Sequence, residues 1–453
     1  MKNIRWQVLV AALLAIGAVA PASGARRFTI TSFGAVGDGK TVNTSALQAL
    51  IDKVAKEGGG TVVVPEGTFL TGALFFKQGV NLYIEKNGTL KGTTVQNDYP
   101  QVKTRWEGIE REWTSALLNF TDMNGVELSG EGTVDGSGDL WLAQSGFGRG
   151  RGAPAGRGDP QPPDAGRGRG QQPPQQPAAG RGGPPQGGPR YGRPRLICFQ
   201  NCKRVRIARL RFKQEAIWCL HILYSEDVVV DGIDIRADHN IPSSDGIDID
   251  SSKKVRVRNV DIDVNDDCIT IKSGKDEDGL RVNRPSEDII VENSRMHYGH
   301  GGVAMGSETS GGIRNVTTRH VVMDADNWAP IRFKTQPSRG GVVENITYSD
   351  IVLKGTRQAF EFNMEWRMVP PIAPPAKVLP IVRNVTIRNV SGTTNNVGFM
   401  HGLAGSPILN VKFEKCNITA DKGFVMENAR KVDLSGLKIA VKSGDPITKK
   451  NVE

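Results

Sequence analysis

The sequence predicts an all-β chain wound as a right-handed parallel β-helix, and three observations predict it. A short unit recurs along most of the chain: a few alternating Val and Ile residues after Asn, Lys or Asp, then a turn, as in "SEDVVVDGIDI", "SKKVRVRNVDI", "VENITYSDIVL" and "VRNVTIRNVSG". Alternation at period two marks strands with one buried face. Equivalent apolar positions (Val205, Val228, Val255, Ile289, Val316, Ile346, Val385, Val411, Val432) follow one another at steps of 21 to 39 residues. Self-similarity at that spacing means stacked repeats, each coil burying its neighbour's face. A propeller wants longer and more regular repeats.

The elements follow in chain order. Residues 1–25 read as a secretory signal: Lys2 and Arg5, then the apolar run Val8–Ala20, then the small residues Pro21–Ala25. The apolar run is too short to span a bilayer. Asn43–Gly58 ("NTSALQALIDKVAKEG") is the clear helical segment and suits the cap that a solenoid needs at its N-terminal end. Residues 26–453 are expected to form one domain, interrupted at about 148–194 by a stretch dominated by Gly, Pro, Arg and Gln. That stretch has almost no aliphatic residues and builds no core, so it reads as a disordered, solvated loop insertion.

Charge excludes one class of partner. The formal net charge is +10, but Gly148–Arg195 holds nine Arg against two Asp, and Lys2 and Arg5 lie in the leader. The remaining body is close to neutral, so no global basic field for nucleic acid is implied. After the leader no segment looks transmembrane, and the chain is expected to be exported, periplasmic or secreted. The five cysteines (Cys198, Cys202, Cys219, Cys268, Cys416) form no ligand cluster with His, so they read as small buried strand residues and no metal site is assigned.

The acids are placed by register. Four segments align: "DGIDIDS" from Asp245, "DCITIKS" from Asp267, "GGVAMGS" from Gly301 and "APIRFKT" from Ala329. Their third and fifth places are always apolar, and side chains two apart share a face. These pairs therefore form an inward column on strands about 4.8 Å apart. The fourth and sixth places point outward: Asp248 and Asp250, Thr270 and Lys272, Ala304 and Gly306, Arg332 and Lys334. The rim where turn meets strand collects Asp245, then Asp266 with Asp267, then His300. Carboxylates, an imidazole, a guanidinium and an ammonium thus converge on one side of four consecutive coils. Like charges this close raise one another's pKa, which suits acid–base work. Inverting glycoside hydrolysis needs a protonated carboxyl at the leaving oxygen and a carboxylate on a water across the ring. A guanidinium takes a carboxylate bidentately, so the cations point to an anionic sugar.

At these residues the sequence resembles glycoside hydrolase family 28, the polygalacturonase-like hydrolases. The resemblance runs from "FTITSFGAVGDGKTVNTSALQALI" through "GTVDGSGDLW" and "RPRLICFQNC" to the C-terminal coils. The family motifs Asn-Thr-Asp, Asp-Asp, Gly-His-Gly and Arg-Ile-Lys read here Ser243-Ser244-Asp245, Asp266-Asp267, Gly299-His300-Gly301 and Arg332-Phe333-Lys334. The resemblance implies that Asp266 is the general acid, that Asp245 and Asp267 hold and activate the water, and that His300 orients the acid network. It implies that Arg332 and Lys334 grip a galacturonate carboxylate, with inversion and no cofactor or metal. The substrate would be pectin or galacturonan, an acidic polysaccharide, and the protein a monomer.

Ser243-Ser244 departs from Asn-Thr, which alters hydrogen bonding near the substrate while Asp245 stays. "TRWEGIEREW" (Thr104–Trp113) offers aromatic or charged contacts at one end of a groove, and Trp106, Trp113 and Trp328 suit packing and sugar stacking equally. Ser273–Glu287 lengthens one coil beside the groove, which favours exo attack. The sequence leaves endo or exo action, and homogalacturonan or rhamnogalacturonan, open. A pectate-lyase-like elimination using bound calcium on a similar solenoid, and a non-catalytic binder of acidic polysaccharide, are the competing readings. The Gly-His-Gly and Arg-x-Lys elements argue for hydrolysis, and a binder would not need adjacent Asp266 and Asp267.

Overall fold

The computed structural model describes residues 26–144, 192–324, 327–366 and 373–453. The expected leader, and nearly all of the Gly/Pro/Arg-rich insertion, lie outside the described residues. Among the described residues, 30 strands join one continuous sheet through parallel pairings. The chain is a right-handed parallel β-helix, as the repeated unit predicts.

The aligned segments pair residue for residue. Ile247 lies against Ile269, Ile269 against Val303, and Val303 against Ile331. The companion column runs Ile249, Ile271, Met305, Phe333. All of these side chains are buried. Identical positions stack like on like, so Phe120 lies over Phe199 and Phe333 over Phe362, each pair at 4.4 Å between ring centroids. Offset stacking of this kind adds to the burial of apolar area.

The Asn residues that precede many strands have a geometric task. Asn315, Asn345, Asn384 and Asn410 all sit at φ 53–57°, the left-handed region that Asn tolerates better than most residues. The amides of Asn345, Asn384 and Asn410 each donate to the Asn one coil earlier, at 2.8–3.2 Å, and that of Asn315 donates to Asp288 at 3.0 Å. The ladder satisfies turn groups that would otherwise be left on a strand edge.

The cap is the helix Thr44–Lys56. Its buried residues Leu47, Leu50, Ile51 and Val54 follow helical spacing and close the open end of the first coil. Each contributes about 1.5–3 kcal/mol by leaving water.

One element breaks the parallel pattern. Gln101–Trp106 and Ile109–Thr114 form an antiparallel hairpin outside the main sheet. It leaves the solenoid near the rung of Leu118, three rungs before that of Ile247, and folds over the outward face of the later rungs.

Candidate active site

The turns that enter adjacent strands bring the acids together. Asp245 precedes Ile247–Asp250, Asp266 and Asp267 precede Ile269–Lys272, and His300 opens the strand Gly299–Met305. Ser244 fixes the two acidic turns to each other: its hydroxyl accepts from the Asn265 N–H at 2.9 Å and its carbonyl from the Asp266 N–H at 3.2 Å. Serine at this position therefore serves the turn directly. The second glycine of Gly-His-Gly also has a steric reason: a Cβ on Gly301 would lie 2.5 Å from Asp267 Oδ1.

Each acid has a distinct environment. Asp266 Oδ1 lies 3.4 Å from His300 Nδ1 and accepts from the Asp267 N–H at 3.0 Å. Both side chains reach solvent, at 26 % and 31 % exposure. Burial opposes ionisation of Asp266, but His300, Lys334 and Arg332 outweigh it and hold the carboxyl below its usual range. For His300, burial disfavours the charged ring, and Asp266 outweighs that and raises its pKa.

Asp267 is buried and held by two cations. Lys334 Nζ donates to Oδ2 at 2.5 Å and Arg332 Nη1 to Oδ1 at 3.3 Å. Arg332 also donates from Nε to Glu361 at 2.9 Å. The half-buried Trp366 covers both cations, its ring centre 4.8 Å from the Arg332 guanidinium carbon and 5.3 Å from Lys334 Nζ. Arg332 lies beneath this surface, so Lys334 and His300 present the positive edge nearer to solvent.

Asp245 is buried, and burial first and Asp248 second raise its pKa well above the ordinary value. Asp248 points outward from the solenoid as its register requires, yet it is fully buried, and burial pushes it to about 8. Asp250 is buried too, with Arg105 of the hairpin donating to it at 2.8 Å. Both acids point outward as expected, and the hairpin's Arg105 covers Asp250.

That hairpin forms a wall at the N-terminal end of the groove. Trp106 stacks on Trp113 at 5.1 Å and on Trp218 at 4.5 Å. Its tip carries Gly108 at φ +79°, where a Cβ would meet Lys275 and Glu308 at 2.5 and 2.7 Å. The Gly108 carbonyl accepts from the Lys275 N–H at 2.9 Å. The lengthened coil supplies the helix Asp276–Val282, whose Arg281 pairs with hairpin Glu110 at 2.6 Å. Trp106 is thus a packing residue, and the two insertions singled out in the sequence meet each other. On the C-terminal side the same outward column continues through Asn363, His401, Glu427 and Lys450.

Sequence reasoning missed Glu308 and Trp366, and it singled out the stretch holding Arg105 for charged contacts without its bond to Asp250. Glu308 lies just past the aligned segment "GGVAMGS", and Arg105 reaches the site from 145 residues away. Only the aromatic character of "EW" before the turn at Trp366 offered a signal. All five cysteines are buried and none forms a disulfide.

Residues 186–436 match the family model of Glycosyl hydrolases family 28, and residues 28–122 match a model described as Rhamnogalacturonase A/epimerase, pectate lyase-like. A probable polygalacturonase of Vitis vinifera is 27 % identical over 390 residues, covering 84 % of this chain and 71 % of its own length. An exo-poly-α-D-galacturonosidase of Dickeya chrysanthemi is 27 % identical over 380 residues, covering 80 % of this chain and 62 % of its own. The crystal structure of a hyperthermoactive exopolygalacturonase from Thermotoga maritima superposes with a TM-score of 0.72 at 30 % identity, covering 94 % of this chain and 91 % of that one.

Proposed function

Because the chain belongs to glycosyl hydrolases family 28, we propose that it hydrolyses galacturonosidic bonds in pectin by an inverting, single-displacement reaction at the cluster of Asp245, Asp266, Asp267 and His300. The observation that carries this reading is the convergence of three acids from two adjacent turns, one against an imidazole and one against two cations.

Asp266 is the general acid. In the free protein His300, Lys334 and Arg332 favour its ionised form. A galacturonate carboxylate docking at the partly exposed His300, with the buried Lys334 behind it, cancels part of that positive charge. Asp266 then takes up its proton as the sugar arrives and delivers it to the leaving oxygen. Asp245 and Asp267 hold the attacking water from the opposite side of the bond. Arg332 and Lys334 orient Asp267, and Lys334 meets the substrate's charge.

The wall supports exo attack. Asp245 lies on the hairpin side of the cluster, and Arg332 and Lys334 on the open side. The sugar whose anomeric carbon meets the water therefore faces the wall, and the polymer leaves over the C-terminal coils. This places the non-reducing end in the closed half. The same proposal takes residues 26–453 as a single domain carrying an insertion at 148–194, and the protein as an exported monomer.

Purified protein on polygalacturonate, with chelator present, is expected to release reducing ends without unsaturated product, and Asp266→Asn to lose about 10²–10⁴ in kcat. Unsaturated product abolished by chelator would make it a lyase. Early products should be mono- or digalacturonate with the polymer's length retained. Replacing 103–112 by a two-residue turn should bring mid-chain cuts, and random cuts by the intact protein would sink the exo reading.

A further inference from the structure

Resting on the assignment of Asp245 as a base, we propose that Lys272 is a positioning residue for the reaction: its ammonium, anchored by Glu308, supplies the positive charge that lets Asp245 act on the water. Lys272 occupies the sixth place of "DCITIKS", beside Asp250 on the preceding rung. Its Nζ lies 3.1 Å from Glu308 Oε2, 3.7 Å from Asp248 Oδ1 and 3.8 Å from Asp245 Oδ2. All four side chains are nearly or fully buried, at 6 % exposure or less. One ammonium therefore faces three desolvated carboxylates.

The neighbouring charges are already committed. Arg105 is spent on Asp250, and Lys334 on Asp267. Neither oxygen of Asp248 meets a hydrogen-bond donor, and after burial the charge of Asp248 is the next cause that raises Asp245. Burial raises both, and Lys272 pulls against that rise in each. Glu308 is different: burial opposes its ionisation, but Lys272, Arg339 and Lys334 outweigh that and hold it down to about 2. It is the fixed anion of the group, so it anchors the ammonium without competing for the proton. The other groups facing this cluster are Asp266 and Asp267 from the next turn, Glu107 at the hairpin tip, Lys275 of the lengthened coil and His221 beneath. The Trp218 ring, 5.0 Å from Nζ, closes the remaining side against water. Through Gly108 on Glu308, the chain of contact runs from the wall to the catalytic carboxylate.

The sign of the effect is fixed. In the free protein Asp245 holds its proton more tightly than Asp266, so the base's pKa is the higher of the pair and sets the alkaline limb of kcat/KM. Removing the ammonium raises that pKa and moves the limb to higher pH. Removing the Asp248 charge lowers it and moves the limb down.

The experiment is the pH profile of kcat/KM on polygalacturonate for Lys272→Met, Lys272→Arg, Asp248→Asn and Lys272→Met/Asp248→Asn, each checked for folding by circular dichroism. Lys272→Met is expected to move the alkaline limb up by at least one pH unit and Lys272→Arg to restore most of that shift. Asp248→Asn is expected to move the limb down, and the double variant to lie between the two singles. A Lys272→Met limb left at the wild-type pH, whatever the loss of kcat, overturns the role. If that variant does not fold, Asp248→Asn and Lys272→Arg decide: a limb that fails to fall in the first, or a kcat/KM in the second as low as a buffer blank, overturns it equally. Asp245→Asn run alongside separates this inference from its premise. Turnover surviving in Asp245→Asn removes the base assignment itself, whereas a dead Asp245→Asn beside an unmoved Lys272→Met limb removes only the part given to Lys272.

Discussion

Asp245 and Asp266 belong to adjacent turns of one solenoid, yet the protein holds them in opposite states. Asp245 lies in the half roofed by the hairpin, next to another buried acid, and its proton is held more tightly than usual. Asp266 lies on the rim, with His300 beside it and two cations behind, and its proton is held less tightly. Both are desolvated to some degree, so burial alone does not separate them. The difference is the balance of partners: three carboxylates around one ammonium on the roofed side, and three carboxylates (Asp266, Asp267, Glu361) among an imidazole and two cations on the rim. Pairs of titratable groups pushed apart by their surroundings are how one site runs acid and base steps together. Here the arriving substrate is anionic and reaches the rim first, so it shifts Asp266 far more than Asp245.

The largest effect that bears on this contrast comes from neutralising the two acids in turn. Asp245→Asn and Asp266→Asn should each cost about 10²–10⁴ in kcat, because each removes one proton-transfer partner. They should differ in binding. Asp266→Asn removes a negative charge from the rim where the sugar carboxylate lands, so the Kd for a galacturonate oligomer should fall. Asp245→Asn sits behind the wall and should leave Kd nearly unchanged. Equal changes in Kd, measured by calorimetry, would break the division into a substrate-facing and a roofed half.

A smaller effect is expected from His300→Gln. The imidazolium is the strongest single charge holding Asp266 ionised, so its loss raises the carboxyl's pKa. A general acid must be protonated, and because its pKa is the lower of the pair in the free protein it sets the acid limb of kcat/KM. That limb should move to higher pH, while kcat at the optimum falls roughly 10- to 100-fold as the acid loses its orienting partner. An acid limb that stays in place would mean that His300 acts on the substrate and not on Asp266.

Much of this was legible in the sequence, and what was not has a common cause. The four-segment alignment was right residue for residue because stacked coils bury the same two places on every rung, so one apolar rhythm fixes the register. The same register brought Asp245, Asp266, Asp267 and His300 to one rim. It also sent Asp248, Asp250 and Lys272 outward, which is geometrically true of the strand but not of their exposure. Whether an outward side chain is wet depends on what lies over it. Here that is a hairpin inserted three rungs earlier, whose stretch Thr104–Trp113 is legible as groove-end contacts but whose Arg105 and Trp106 carry no mark of the partners they meet. Glu308 escaped for a related reason: it lies in the turn after the aligned strand, where length varies from coil to coil and periodicity says nothing. Repetition reports the scaffold, and the insertions that make one solenoid differ from another are aperiodic.

Glu215 offers the smallest test and applies the same reasoning away from the cluster. It is fully buried in the coil before that of Asp245, neither oxygen reaches a partner side chain, and burial pushes its pKa up to about 8. It is what Asp245 would be without Lys272: a buried acid with no cation. Its folded pKa lies above its unfolded value, so the neutral form's contribution to stability is fully present below the unfolded pKa and is lost as pH rises through about 8. Glu215→Gln keeps the shape and removes the ionisation. Its Tm relative to the wild type should therefore climb as pH goes from 5 to 8.5, by roughly a few °C in a chain of this size. A difference in Tm that does not change with pH would mean that Glu215 is as well solvated folded as unfolded, and that burial by itself does not hold an acid neutral in this solenoid. The contrast between the two halves of the site would then rest on the acids' charged neighbours alone.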